Sequence, residues 1–145
     1  MINTAPGTVP HGLIAAATSI REKAYAPYSH FKVGAAMFCD DGHIYSGCNV
    51  ENAAYPEGIC AEGGAISAMV AAGGRRIIEA VVCGAAEPCP PCGGCRQKLR
   101  EFAAPETKVH MVDPAGKILL TRTLAELLPD SFGPDNLGIS AGTPT

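Results

Sequence analysis

Residues 60–102 read CAEGGAISAMVAAGGRRIIEAVVCGAAEPCPPCGGCRQKLREF, and the alternation within this stretch decides the fold. Ala61 to Ala72 is a run of small and apolar residues that predicts a helix, stopped by Gly73-Gly74. Ile77 to Gly84 is apolar and β-branched, as expected of a strand buried in the middle of a sheet. A loop of Pro, Cys and Gly then leads into another helix, about Cys95 to Phe102. A helix, a central strand and a second helix in succession call for a sheet with helices packed on it.

The flanking segments extend that plan. Upstream, Leu13, Ala17, Ile20 and Ala24 recur at helical spacing, which predicts a helix over about Pro10–Tyr25, broken by Ala26-Pro27-Tyr28-Ser29. Phe31 to Cys39 alternates like a strand, Asp40-Asp41-Gly42 signals a hairpin, and the returning strand runs from about His43 to Asn49. Glu51 to Ile59, punctuated by Pro56 and Gly58, reads as a loop. Downstream, strands are expected at Lys108–Val112 and Lys117–Leu120 around the turn Asp113-Pro114-Ala115-Gly116. Thr123 with Glu126 three residues on reads as a capping box for a short last helix. The fold class is therefore α/β, a mixed sheet with helices on both faces. One domain is expected over residues 1–145, with a core over about 10–137, a frayed Met1–Val9 and a small-residue tail from Gly138 to Thr145.

Composition narrows the function. The net charge is −3, and Arg75-Arg76 is the only adjacent basic pair. A chain without a basic face is poorly suited to neutralising phosphates, so no nucleic-acid partner is expected and a small molecule is favoured. No apolar run approaches the roughly 18 residues of a membrane span, and Met1 to Pro10 has neither the basic nor the apolar region of an export signal. Seven cysteines are an odd number for a disulfide framework. In the cytoplasm, the expected location, clustered cysteines point to metal or catalysis.

The chemistry lies in Cys60-Ala61-Glu62 and Pro91-Cys92-Gly93-Gly94-Cys95. Each cysteine group sits where a loop enters a helix, and the partial positive charge of a helix N-terminus favours thiolate. Two such ends converging make a three-thiolate pocket, and a catalytic zinc uses three protein ligands with a fourth position open. Glu62, two residues past Cys60, can reach that open position without ligating. Cys39, Cys48 and Cys83 read as small buried hydrophobes. Cys89 competes with Cys60 as the third ligand, and Cys89-x-x-Cys92-x-x-Cys95 begins like an iron–sulfur run, but that run needs a cysteine where Leu99 stands. A structural zinc or iron–sulfur module is thus the alternative to an enzyme. His11, His30, His43 and His110 form no ligand spacing.

Taken together, C-A-E followed about thirty residues later by P-C-x-x-C is the three-cysteine form of the zinc nucleobase deaminase signature. The sequence resembles the small homotetrameric cytidine deaminases over about residues 11–137. The matching stretches are Ala26-Pro27-Tyr28-Ser29 with Phe31 and Val33-Gly34-Ala35-Ala36, then Gly47 through Tyr55, Cys60-Ala61-Glu62, Pro91 through Gln97, Glu126 through Pro129 and Ser131 through Pro134. The resemblance implies the three-layer cytidine deaminase fold with a five-stranded mixed sheet, and deamination of cytidine and deoxycytidine in pyrimidine salvage. It implies one zinc per chain on Cys60, Cys92 and Cys95, with Glu62 moving the protons. It places Asn49 and Glu51 on the ribose hydroxyls, the Ala61 backbone on the pyrimidine carbonyl and Phe31 against the base, within a substrate-binding stretch that includes Val50, Asn52, Ala53, Ala54 and Tyr55. It also implies a homotetramer in which Tyr55 and Phe132 enter a neighbour's site. A carboxylate at Glu51 suits hydroxyls and repels phosphate, so nucleosides are expected over nucleotides; a related deaminase with another nucleoside-like substrate is the remaining alternative. Relatives commonly read Cys-Ala-Glu-Arg with the Arg serving the thiolates. Here position 63 is Gly, and the next cation in sequence, Arg96, is expected to take that role.

Overall fold

Five stretches of this computed structural model, which describes residues 8–144, form strands: β1 Gly34–Cys39, β2 Ile44–Cys48, β3 Ile77–Cys83, β4 Ala103–Val112 and β5 Ile118–Thr123. They make one sheet in the order β2-β1-β3-β4-β5. β1 is antiparallel to both β2 and β3, β3 is parallel to β4, and β4 is antiparallel to β5. The sheet is mixed, as expected. Its helices are α1 Leu13–Arg21, α2 Ala61–Ala71, α3 Gly93–Phe102 and α4 Leu124–Leu127.

Strand alternation sends side chains to two cores. On one face Ala36, Val81, Cys83 and Val112 pack with Leu13 and Ala17 of α1. On the other, Met37, Ala80, Val82, Val109 and Met111 pack with Ala65 and Met69 of α2, Leu99 of α3 and Leu124 of α4. Three layers result, with one helix on one face and three on the other. Gly47 sets how close α2 comes to β2: a Cβ there would stand 2.6 Å from the Ala61 carbonyl oxygen. The first turn of α2, which carries Glu62, therefore lies directly on the sheet.

The capping box forms as read: the Thr123 N–H donates to Glu126 Oε1 at 2.9 Å, and the Glu126 N–H to Thr123 Oγ1 at 3.2 Å. The hairpin also forms, with the His43 N–H donating to Asp41 Oδ1 at 3.0 Å and Gly42 at φ 81°. Several boundaries differ from expectation, three of them for a visible reason. α1 stops at Arg21 because the N–H groups of Glu22, Lys23 and Ala24 turn to carbonyls three residues back, and Tyr25 leaves to donate to the Asn49 carbonyl. β1 starts at Gly34, not Phe31: residues 31–33 are tied instead to the Asn49 side chain, which donates to the Phe31 carbonyl at 2.9 Å and accepts from the Val33 N–H at 2.8 Å. β4 starts at Ala103, not Lys108, straight after α3; its register against β3 shifts between Ile77 and Glu79, which disguises the early part containing Pro105.

The frayed Met1–Val9 falls mostly on residues 1–7, outside the described residues. The tail, expected outside the core, returns to it: the Gly142 N–H donates to the Glu101 carbonyl at 2.9 Å. Among the described residues no helix is long and apolar enough to cross a membrane.

Candidate active site

Cys60 is the N-cap of α2 and Cys92 the N-cap of α3, with Cys95 in the first turn of α3. Because both helices begin at the same end of the sheet, their first turns converge. The sulfurs of Cys60, Cys92 and Cys95 lie within 4.8 Å of one another, and Cys60 and Cys92 are 4.0 Å apart. Three sulfurs about 2.3 Å from a tetrahedral zinc stand about 3.8 Å apart, so the trio fits that ion. Cys95 is buried and the other two are exposed, which leaves an open side. Among the described residues this is the one such group of metal-ligating side chains, and Cys89 lies outside it. Cys39 and Cys83 are buried, as their reading as core residues requires, and Cys48 is partly so.

Glu62, only 4% exposed, sits beside the trio on the first turn of α2. Burial pushes its carboxyl above the usual range, opposed by its own N–H, the Cys95 thiol and the charge of Lys98. Burial likewise raises the Cys60 and Cys95 thiols. Cys92 is held below the usual thiol value, chiefly by the Cys95 N–H, which donates to its sulfur. The helix N-terminus thus favours the thiolate form of one of the three cysteines, the physical expectation for such an end.

Two cavities meet at this point. The inner one, about 170 Å³, is lined by Val33, Asn49, Cys60, Ala61, Glu62, Cys89, Pro90 and Cys92. The outer one, about 530 Å³, is lined by Tyr28, Ser29, Asn49 through Asn52, Tyr55, Gly58, Ile59 and Cys60. Asn49 and Cys60 belong to both. Glu51 Oε1 accepts from the N–H groups of Tyr28 (2.9 Å) and Ser29 (3.1 Å), and these bonds with the Ser29 side chain hold its carboxyl below the usual range. Glu51 therefore lines the outer cavity as a fixed, ionised acceptor.

The structure thus gathers Cys60, Cys92, Cys95, Glu62, Ala61, Asn49, Val50, Glu51, Asn52 and Tyr55 around one opening. It does not bring every expected residue there. Phe31 packs its ring tip 3.5 Å from where a Gly84 Cβ would stand and lines neither cavity; Val33 takes the inner wall. Ala53 and Ala54 line neither, and the Ala54 N–H caps the Asn52 side chain. Phe132 is 61% exposed on the loop after α4 and also lines neither cavity of its own chain. Arg96 differs most from expectation: its Nε donates to the Pro91 carbonyl and its Nη1 to the Leu127 carbonyl, both at 2.7 Å, rather than to cysteine sulfur. Cys89, Pro90, Tyr28 and Ser29 are wall residues that the sequence reading missed. Tyr28 and Ser29 carried a signal, since they sit in the turn that grips Glu51.

Residues 10–111 match the family model for the cytidine and deoxycytidylate deaminase zinc-binding region. A cytidine deaminase of Sporosarcina psychrophila is 44% identical over 130 residues, which cover 89% of this chain and 95% of that protein. One from Mycobacterium tuberculosis is 44% identical over 123 residues, 83% of this chain and 87% of its own. The crystal structure of a Burkholderia pseudomallei cytidine deaminase superposes with a TM-score of 0.79 at 44% identity, over 86% of this chain and all of that one. A match of this length, carried by relatives of this identity and by a shared architecture, means that the chain belongs to the cytidine deaminase family.

Proposed function

We propose that the chain catalyses the hydrolytic deamination of cytidine and deoxycytidine to uridine and deoxyuridine, with release of ammonia, as a cytoplasmic enzyme of pyrimidine salvage. The observation that carries this reading is the buried Glu62 carboxyl beside three converging thiols at the floor of a cavity. Cys60, Cys92 and Cys95 would hold one zinc per chain, and the chemistry zinc supplies when bound is a lowered pKa for water, toward neutrality. Glu62 takes a proton from the attacking water as it adds at C4 and passes it to ring N3. It then delivers the second proton to the departing amino group, so that ammonia leaves and a carbonyl remains. Burial raises the carboxyl's affinity for a proton, which favours its receiving one before giving it up, and this step is typically worth about 10²–10⁴-fold.

The pyrimidine ring fits the inner cavity, against the Ala61 backbone and the Val33 wall, with Phe31 approaching from outside it. The sugar lies toward Asn49 and Glu51. With Oε1 already held by two N–H groups, Glu51 accepts a hydroxyl at its second oxygen and disfavours a phosphate there. Val50 and Asn52 shape the mouth, and Ala53 and Ala54 lie just outside it. Tyr55, 77% exposed and edge-on to Tyr28, and the exposed Phe132 are suited to completing the site of a neighbouring subunit in a homotetramer.

Ammonia release from cytidine, deoxycytidine, CMP, cytosine and adenosine tests the reading, with zinc measured on the same preparations. Turnover confined to the two nucleosides is expected, and Glu62→Gln should keep zinc and lose at least about 10²-fold in rate. A zinc-loaded protein inert toward both nucleosides, or a zinc-loaded Glu62→Gln with parental turnover, would overturn it.

A further inference from the structure

Three thiolates on a divalent ion carry a formal −1, which opposes ionisation of water at the site. The two helix ends offset part of this, at about +0.5 each. The basic side chain next in sequence is committed elsewhere, because Arg96 braces the Pro91 and Leu127 carbonyls. A different cation occupies the crevice between the first turns of α2 and α3. Gly63, in the first turn of α2, has no side chain, and the stem of Lys98 from α3 lies over it: Lys98 Cδ and Cε are 3.9 and 4.0 Å from where a Gly63 Cβ would stand. Lys98 Nζ ends 4.0 Å from where a Gly94 Cβ would stand, beside Cys95. Among the described residues Lys98 forms no ion pair.

We propose that Lys98 is the charge-balancing residue of the three-cysteine centre, its stem crossing the gap left by Gly63 to set the ammonium between the two helix ends that carry all the ligands. Gly63 and Gly94 supply the room: a longer side chain at either would displace the stem. Lys98 acts through the ligands and Glu62 rather than on substrate, so it is a positioning residue. Because it is exposed, its effect is that of a partly screened charge, about three- to tenfold in an equilibrium constant.

The inference rests on the zinc reading above, and zinc affinity by chelator competition tests the two separately. Lys98→Met should weaken zinc binding about three- to tenfold without lowering the melting temperature of the metal-free protein, and the deficit should shrink in high salt. Lys98→Arg should stay within about twofold of the parent. With the stem shortened in Lys98→Ala, adding Gly63→Arg regrows a cation from the other helix and should recover most of the loss. Parental zinc affinity in Lys98→Met, a salt-independent deficit, or no recovery from Gly63→Arg overturns the proposal while leaving the deaminase assignment standing. A parent protein that takes up no zinc overturns that assignment, and this inference with it.

Discussion

Gly47→Ala should dismantle the metal centre without altering a ligand. The added Cβ would stand 2.6 Å from the Ala61 carbonyl oxygen and 2.7 Å from the Gly64 carbonyl carbon, both backbone atoms of α2. The Ala65 N is nearer still, and ordinary contact begins at 3.4 Å, so α2 must retreat by about 1 Å. Cys60 caps that helix and moves with it, displacing its sulfur from its place 4.0 Å from that of Cys92. A tetrahedral zinc sets its sulfurs about 3.8 Å apart, so the shift carries the pair away from the spacing that ion needs. The overpacking itself costs about 1–3 kcal/mol, a drop of about 3–10 °C in Tm for a chain of this size. Zinc content after equilibration with a mild chelator, thermal melting and ammonia release should all fall together. A Gly47→Ala protein with parental Tm and one zinc per chain would refute the claim that close approach of α2 to β2 sets the ligand spacing.

Other variants probe the remaining parts of the site. Phe132→Ala should raise KM for cytidine with little change in Tm, and, on the proposed shared site, re-formed mixtures with Glu62→Gln chains should exceed the summed parental activities; no excess would refute that site. Glu51→Gln keeps an oxygen for the Tyr28 and Ser29 N–H groups but weakens the acceptor for a hydroxyl, so kcat/KM for nucleosides should fall about 10–100-fold; an unchanged value would remove Glu51 from substrate binding. Asp41 is held below its ordinary value of 3.8, chiefly by the Tyr45 hydroxyl, so its contribution to stability is full above that value and fades as pH falls through the depressed one. Asp41→Asn should therefore melt slightly lower than the parent at pH 7, with the gap closing below about pH 4; a gap independent of pH would show that charge is not the cause.

What could be read from sequence was what is encoded locally. A helix cap is written within four residues, so Cys60-Ala61-Glu62, Pro91 through Cys95 and the Thr123–Glu126 box announced their helix starts. Contacts between distant segments left no such mark. Nothing near Arg96 says that its guanidinium will meet the Leu127 carbonyl, 31 residues on. Nothing near Lys98 says that it will cover Gly63. The Asn49 side chain stands in for a strand partner along Phe31–Val33, so an apparently regular strand begins three residues late. The same tie leaves Val33 on the inner wall and Phe31 off it, although a regular strand would put both on one face, and residue types alone do not make that distinction.

α3 also grips the chain well beyond its cysteines. Gln97 Nε2 donates to the Phe132 carbonyl at 2.9 Å, and Arg100 donates to Ser131 Oγ at 2.8 Å and pairs with Asp135 at 2.6 Å. The ten-residue helix is therefore a rod that carries two of the three clustered cysteines at one end and is tied toward the other to the loop that presents Phe132. Where that ring completes a neighbour's pocket, the rod couples the two sites mechanically: a subunit whose ligands are slack also holds its lent aromatic slackly. Enzyme partly stripped of zinc should then lose more turnover than its missing ions account for, because each vacancy degrades a second, still loaded site across the interface.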